Sequence, residues 1–252
     1  MSRLTGIVIA KDEEEMIADC LDSLSFCDER ILVDNSSTDR TADIAKHMGV
    51  YVKTARETDF ARLRTTGLEE AKGAWVFYLD ADERVSKKLQ DEILKLVAGA
   101  DVPHSAYRVA RQNYYYGKHL WPHVEYMERL FQKQYLKRWT GRLHETPEVI
   151  GSIGDLSGTI DHFTHRDLSS MVKKTIVWSR VEAELRLAAG HPQMSWWRFP
   201  RVMFTAFFNS YIRQKGYSVG VVGLIESMYQ AFSIFITYAR LWEMQQEENR
   251  QE

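Results

Sequence analysis

Leu4–Ala10 is an apolar run that stops abruptly at Lys11-Asp12-Glu13-Glu14-Glu15, and it predicts a buried strand. Glu13–Leu24 then sets Met16, Ile17, Cys20, Leu21 and Leu24 at helical spacing. Arg30–Asp34 is a second short apolar run ending in an acid, and Ser36-Ser37-Thr38-Asp39 offers caps for a helix from about Thr38 to Met48. Val50–Lys53 reads as a third strand and Phe60–Lys72 as a helix. Ala74–Leu79 is continuously apolar, the pattern of a strand buried on both faces, and it too ends in acids, Asp80-Ala81-Asp82-Glu83. Leu89–Val97 predicts another helix. This strand–helix alternation predicts a mostly parallel sheet covered on both sides, with ligands bound beyond the carboxyl ends of the strands. Asp34 and Asp80 fall at two such ends, which puts two acidic clusters on one rim.

The pattern changes after about His104. Tyr107–Arg111, Tyr126–Gln132 and Gly158–Phe163 are shorter polar–aromatic strands. Beyond Arg166 the chain reads as helix over Asp167–Ala189, Ser195–Lys215 and Val219–Gln246, broken at Gly190-His191-Pro192 and at Gly216, with Glu247–Glu252 a frayed end. Gly216–Ala239 has the length of a membrane span, but Ser, Gln, Thr, three Gly and Glu226 make it a polar one. Met1–Ala10 lacks the long apolar core and cleavage site of a signal peptide.

Composition sharpens this division. Of 30 aromatics in the 252 residues, 23 lie in 114–252. Lys+Arg 33 against Asp+Glu 35 gives a net charge of −2, so no overall basic excess marks a nucleic-acid binder and none is expected as a partner. Residues 166–240 nevertheless carry 10 Lys/Arg and 4 Asp/Glu. Basic residues beside Trp and Phe suit a membrane headgroup region. The same aromatics could equally pack helix on helix or form an oligomer interface. Two cysteines, Cys20 and Cys27, cannot build a disulfide framework, and a reducing compartment is expected.

Two carboxylates at i and i+2 after a strand, Asp80 and Asp82, can reach one hard divalent ion, which takes oxygen ligands and often keeps substrate phosphates. The bland alternative is an acidic turn ahead of a helix capped by Ser86. Val33–Asp39 suits either a nucleoside-binding turn or a plain capped loop. A lone His162 is a metal or diphosphate ligand or a structural histidine, and His144-Glu145 a site loop or a surface turn before Pro147.

Three features in order resemble the family-2 glycosyltransferases: Lys11-Asp12-Glu13 after the first strand, Val33-Asp34-Asn35-Ser36-Ser37-Thr38-Asp39 after the second, and Asp80-Ala81-Asp82 after the fourth. Asp80–Ser86, Arg129-Leu130-Phe131, His144-Glu145, His162-Phe163-Thr164 and Tyr211–Tyr217 resemble the lipopolysaccharide-core glucosyltransferase subgroup, which extends the likeness over nearly the whole chain. There are departures. Thr65 follows Arg64 where the subgroup has Asn, and Gly216-Tyr217-Ser218-Val219-Gly220 lacks an acid the subgroup carries there.

The resemblance implies an α/β GT-A nucleotide-diphospho-sugar transferase fold, Rossmann-like with a mostly parallel mixed sheet, and a helical C-terminal region. Residues 1–165 would be catalytic, with the donor and metal site in 1–100 and the acceptor side in 101–165; residues 166–252 would meet acceptor, membrane surface or a second subunit. It implies inverting, metal-dependent transfer of a hexose, with glucose from UDP-glucose the best choice, to a lipid-linked glycan such as lipopolysaccharide core. The enzyme would be cytoplasmic and peripheral on the inner face of the cell membrane. Ala10, Lys11, Glu13, Asp34, Asn35, Arg64, Asp80 and Ala81 would bind the donor. Asp82, Asp80 and His162 would hold Mg2+ or Mn2+. Asp82 and Glu145 would be catalytic, Glu145 as the general base; Glu83, Arg129 and His144 would lie on the acceptor side. Glu83 is the second choice of base, with Asp161 and Glu128 further candidates. The rival readings are transfer to a polyprenyl phosphate and a non-catalytic sugar-nucleotide or glycan binder.

Overall fold

The computed structural model describes residues 4–57, 59–99, 102–141 and 145–251. The first part alternates strand and helix as the apolar pattern predicts: β1 (Leu4–Ala10), α1 (Ile17–Ser23), β2 (Glu29–Asp34), α2 (Thr41–His47), β3 (Tyr51–Thr54), α3 (Phe60–Glu70) and β4 (Trp75–Asp80). Then follow β5 (Glu83–Val85), α4 (Lys87–Ala98), β6 (Ala106–Tyr115), β7 (His119–Gln132), β8 (Leu136–Thr140), β9 (Thr146–Val149) and β10 (Ile153–Thr164). The helical part contains α5 (Leu168–Ala188), α6 (Arg198–Phe208) and α7 (Val221–Gln251).

Eight strands form one mixed sheet in the order β3-β2-β1-β4-β7-β6-β10-β5, and β8 pairs with β9 apart from it. β3, β2, β1 and β4 are parallel, whereas β4 meets β7, and β10 meets β5, antiparallel. Alternate residues of the parallel strands point to opposite faces, and both faces are covered. Val8, Phe77 and Leu79 pack with Ile17 and Leu21 of α1, with Leu24 just after it, and with Leu89 and Ile93 of α4. Ile7, Ile9, Val76 and Tyr78 pack with Ala61, Leu63 and Leu68 of α3 and with Trp139.

Several expected elements are corrected. The first helix begins at Ile17, not Glu13, and the turn before it directs backbone N–H groups to the neighbouring loop. Those of Asp12, Glu13 and Glu14 donate to Ser37 Oγ (2.9 Å), Thr41 Oγ1 (2.8 Å) and Asp39 Oδ2 (3.0 Å), zipping together the loops that follow β1 and β2. The later strands are longer than their polar–aromatic cores suggested, and β5, β8 and β9 were not anticipated. The acidic tail is not frayed but continues α7 to Gln251.

β5 matters for the site. It pairs with β10 with His162 opposite Glu83, which brings β10 alongside the Asp80–Glu83 turn. Gly158 of β10 permits this approach: a Cβ there would lie 2.4 Å from the Leu89 Cα of α4. Ser86 caps α4 by accepting from Leu89 N, and its hydroxyl also accepts from Thr159 N at 3.0 Å.

Contacts divide the chain into two compact units. One comprises residues up to Gln112 with Val124–His162; the other comprises Asn113–His123 with the chain from Phe163 onward. In the second unit α7 packs against α5 and α6. Ala183, Met194 and Leu241 form its small core with Leu187, Phe199 and Tyr238 around them. The fully buried Glu226 of α7 meets His165 Nδ1 at 2.8 Å, and Trp121 donates to Gln214 at 3.0 Å. The predicted break at Gly216 is present, with Lys215 in the left-handed region (φ 61°). Over Val221–Arg250 α7 is long and apolar enough to cross a membrane.

Candidate active site

The parallel register sets Ala10 beside Asp34 and Ile9 beside Asp80, so the ends of β1, β2 and β4 form one rim. At the β2 end the buried Asp34 carboxylate accepts from Ser37 N. Asn35 N donates to Ala10 O at 2.9 Å. The Asn35 carboxamide exchanges two hydrogen bonds with the Glu57 backbone, at 2.9 and 3.0 Å. The Asn35 side chain thereby clamps the loop after β3, while its backbone lies at the rim beside Ala10. Lys11 is exposed beside this rim and Ala81 is buried in the next turn.

The Asp80–Glu83 turn sends its three acids in three directions. Asp80 accepts from Arg64 Nη2 at 3.0 Å through Oδ1 and from Arg129 Nη2 at 2.9 Å through Oδ2. Asp82 faces His162, with Oδ2 3.4 Å from Nε2. Glu83 turns inward and is fully buried. Its Oε2 accepts from Asp80 N at 3.0 Å, and its Oε1 from Arg129 at 2.6 Å and Arg111 at 3.3 Å. Glu125 completes the cluster as a second partner of Arg111.

Arg64 is the link outward. Its Nε donates to Glu145 Oε1 at 2.7 Å while Nη2 holds Asp80. Its guanidinium lies 4.9 Å from the Trp139 ring centroid and 5.7 Å from that of Tyr78. Tyr78 in turn donates its hydroxyl to the Arg64 carbonyl at 3.0 Å. The remaining nitrogen, Nη1, is buried and has no hydrogen-bond partner among the described residues. A buried donor left unmade is costly, so this nitrogen is the part of Arg64 still able to donate.

Burial works against the charge on Asp80, but Arg129 and Arg64 outweigh it and hold the carboxyl well below the usual range. Burial likewise works against Arg129, and Asp80 and Glu83 keep it firmly protonated. Burial alone raises Asp161.

Three expectations change with this geometry. Asp80 is not placed as a metal ligand, since both of its oxygens are committed to arginines. Among the described residues no group of three His, Cys, Asp or Glu side chains is arranged to hold a metal. Glu83 cannot serve as base, because both oxygens are engaged and none of it is exposed. Arg129, 3% exposed, is not placed to touch an acceptor and instead holds Asp80 and Glu83. His144 lies outside the described residues. Sequence reading missed Arg111, Glu125 and Trp139, whose local contexts are an ordinary alternating strand or hairpin.

The family model for glycosyl transferase family 2 matches residues 5–153. The chain belongs to this family. It is 28% identical over 255 residues to the lipopolysaccharide core biosynthesis glycosyltransferase LpsC of Rhizobium meliloti, covering 95% of this chain and 92% of LpsC. Staphylococcus aureus TarS in complex with UDP aligns over 98% of this chain and 92% of its own, at 14% identity and TM-score 0.48. The glucosyl-3-phosphoglycerate synthase of Mycobacterium tuberculosis, solved with Mn2+ and UDP, aligns over 45% of this chain and 44% of its own, at 20% identity and TM-score 0.33. The fold expectation therefore holds: a mixed α/β sheet of a family-2 glycosyltransferase with a helical C-terminal part.

Within this glycosyltransferase the ion cluster makes two measurable demands. Glu83→Gln leaves Arg129 and Arg111 short of a buried countercharge and should cost roughly 3–5 kcal/mol in urea unfolding; a loss within experimental error would show that the cluster is solvated. Asp80 has its carboxyl depressed in the fold, so its contribution is complete above about pH 4, the ordinary aspartate value. That contribution is lost as pH falls below this value toward the folded one. Stability of Asp80→Asn should consequently fall less steeply than wild type on acidification below pH 4, and parallel curves would remove Asp80 from the balance.

Proposed function

We propose that this family-2 glycosyltransferase moves a hexose, with glucose from UDP-glucose the best choice, to a hydroxyl of a lipid-linked glycan such as lipopolysaccharide core, with inversion. The likeness to LpsC over nearly the full length of both chains supports the acceptor class. The observation that carries the chemistry is the Arg64 bridge, which joins Asp80 of the β4 turn and Glu145 through one guanidinium, at 3.0 and 2.7 Å.

On the donor side, the joined loops after β1 and β2 present Ala10, Lys11, Glu13 and Asp34 to the nucleoside. Arg64 offers its unpartnered Nη1 to a diphosphate oxygen. The surrounding charge explains why a cation would be needed. Arg64, Arg111 and Arg129 are answered by Asp80, Glu83, Glu125 and Glu145, and Asp82 adds another carboxylate. A diphosphate entering this cluster meets no surplus of positive charge. Asp82 and His162 fit a small divalent ion such as Mg2+ or Mn2+: one hard oxygen and one imidazole nitrogen, 3.4 Å apart, leave coordination positions for phosphate oxygens. Bound there, the ion would supply the positive charge that stabilises the leaving diphosphate.

On the acceptor side, the attacking hydroxyl oxygen forms a bond to the anomeric carbon from the face opposite the breaking bond to phosphate, and UDP leaves with the bonding pair. Glu145 takes the hydroxyl proton. With Oε1 anchored on Arg64, Oε2 is assigned this role. Catalysis is assigned to residues 1–165, at the cytoplasmic face of the membrane.

Two substitutions test the two sides. Asp82→Ala should abolish the stimulation of UDP-sugar hydrolysis by Mn2+ or Mg2+, and unchanged stimulation would sink the assignment. Glu145→Gln should retain donor binding, read by thermal stabilisation with UDP-sugars, yet lose transfer by about 100-fold or more. Near-normal transfer to extracted glycolipid would exclude Glu145 as the base.

A further inference from the structure

The second unit carries an exposed apolar face with an unusual electrostatic setting. Along α7, Val221, Leu224, Ile225, Met228, Phe232, Phe235 and Trp242 are exposed. Their spacing of three, four and seven residues places them on one stripe about 30 Å long at 1.5 Å per residue. Phe204, Phe208 and Ile212, on and just after α6, which packs on α7, are exposed as well, as are Trp196 and Trp197. A monomeric protein rarely leaves a contiguous apolar surface of this extent in water.

Between Glu184 and Glu243 the chain has six Lys/Arg and one carboxylate, Glu226. Glu226 is fully buried against His165 and Gln230, so this long segment shows no carboxylate to solvent. Arg201, Arg213 and Lys215 are exposed. The guanidinium groups of Arg198 and Arg201 lie over the Trp197 ring, at 5.3 and 5.9 Å, and that of Arg213 lies 5.9 Å from Phe208. Aromatic and cationic groups are thus interleaved, as the boundary between acyl chains and anionic headgroups requires.

We propose that this α6–α7 face docks on an anionic lipid surface, with its apolar residues in the acyl boundary and Arg201, Arg213 and Lys215 on headgroup phosphates. Two rival occupants fit less well. A second copy related by two-fold symmetry would press the same cationic face against itself, with no exposed carboxylate across Leu185–Trp242 to answer it. A transmembrane α7 would have to be apolar all round, whereas its other face buries Glu226, Ser227 and Gln245 in polar contacts with the rest of the unit. The docking does not depend on the transfer chemistry. It would concentrate the enzyme where lipid-linked acceptors reside.

Flotation of the full chain with phosphatidylglycerol-containing and pure phosphatidylcholine vesicles tests it, with UDP-sugar hydrolysis monitored separately. Wild type should float with the anionic vesicles and be released by high salt. Neutralising Arg201, Arg213 and Lys215 to Gln should lower vesicle affinity roughly 100-fold, at about 1 kcal/mol per basic residue and 1.4 kcal/mol per decade. Hydrolysis should stay unchanged, and Arg201→Lys with Arg213→Lys should keep the binding. Phe204→Ser with Met228→Ser should weaken binding without altering its salt dependence. Equal flotation with both vesicle types, or by the Gln variants, overturns the proposal. So does release only by detergent, which would mean that α7 spans the bilayer. A concentration-dependent dimer that ignores vesicles would overturn it too, assigning the face to self-association.

Discussion

A buried charge must be answered inside the protein, and this constraint organises the site. Arg64 and Arg129 are almost completely buried beneath a rim that carries Asp80 and Glu83. Desolvating each ion costs several kcal/mol, recovered only when geometry and hydrogen bonding are nearly complete. Meeting that requirement ties together α3, which carries Arg64, β4, which ends at Asp80, β5, which begins at Glu83, and β6 and β7, which carry Arg111 and Arg129. The segment entering β9 is held to the same network by Glu145. A set of apolar residues would close this space with less risk. Charges held there instead give the protein a fixed, pre-oriented polar environment beneath the rim, which under the proposed transfer would cost no reorganisation during reaction.

The network explains why adjacent acids have different fates. In sequence, Asp80-Ala81-Asp82-Glu83 looks like one cluster with interchangeable members. In space, β4 ends and β5 begins within it, so the chain reverses its surroundings in three residues. Asp80 meets the arginines, Asp82 meets His162 because β5 pairs with β10, and Glu83 points into the interior. Ala81 is buried between them. One acid sets the electrostatics, one faces a metal-compatible imidazole, and one holds the backbone of the first.

The parallel half of the sheet was legible because its signal is local. β1, β2 and β4 are continuous apolar runs, and the topology rule alone puts Asp34 and Asp80 on the rim. Their chemistry was less legible because it depends on partners far along the chain. Arg64 and Arg129 are 16 and 49 residues from Asp80, and nothing near Asp80 announces them. Glu83 was readable as a base for the same reason: its acidity is in the sequence, its burial is not. The antiparallel strands were underestimated because polar positions interrupt their cores. β7, for instance, carries Pro122 and several exposed residues in its first half, while only Arg129, Leu130 and Phe131 near its end are buried in succession.

The aromatic excess after residue 113 has a divided explanation that composition could not supply. Phe131 and Trp139 belong to the sheet core, and Trp139 also lies against the Arg64 guanidinium. In the helical part, by contrast, Trp196, Phe204, Phe232 and Trp242 remain exposed. If packing alone had set their number, the small core around Ala183, Met194 and Leu241 would have absorbed them; it holds Phe199 and Tyr238 instead. Between Leu185 and Trp242 the one carboxylate, Glu226, is buried, whereas Arg201, Arg213 and Lys215 are exposed. A net charge of −2 therefore conceals two opposite arrangements: a rim in which Arg64, Arg111 and Arg129 are answered by acid, and a Leu185–Trp242 surface that exposes no carboxylate.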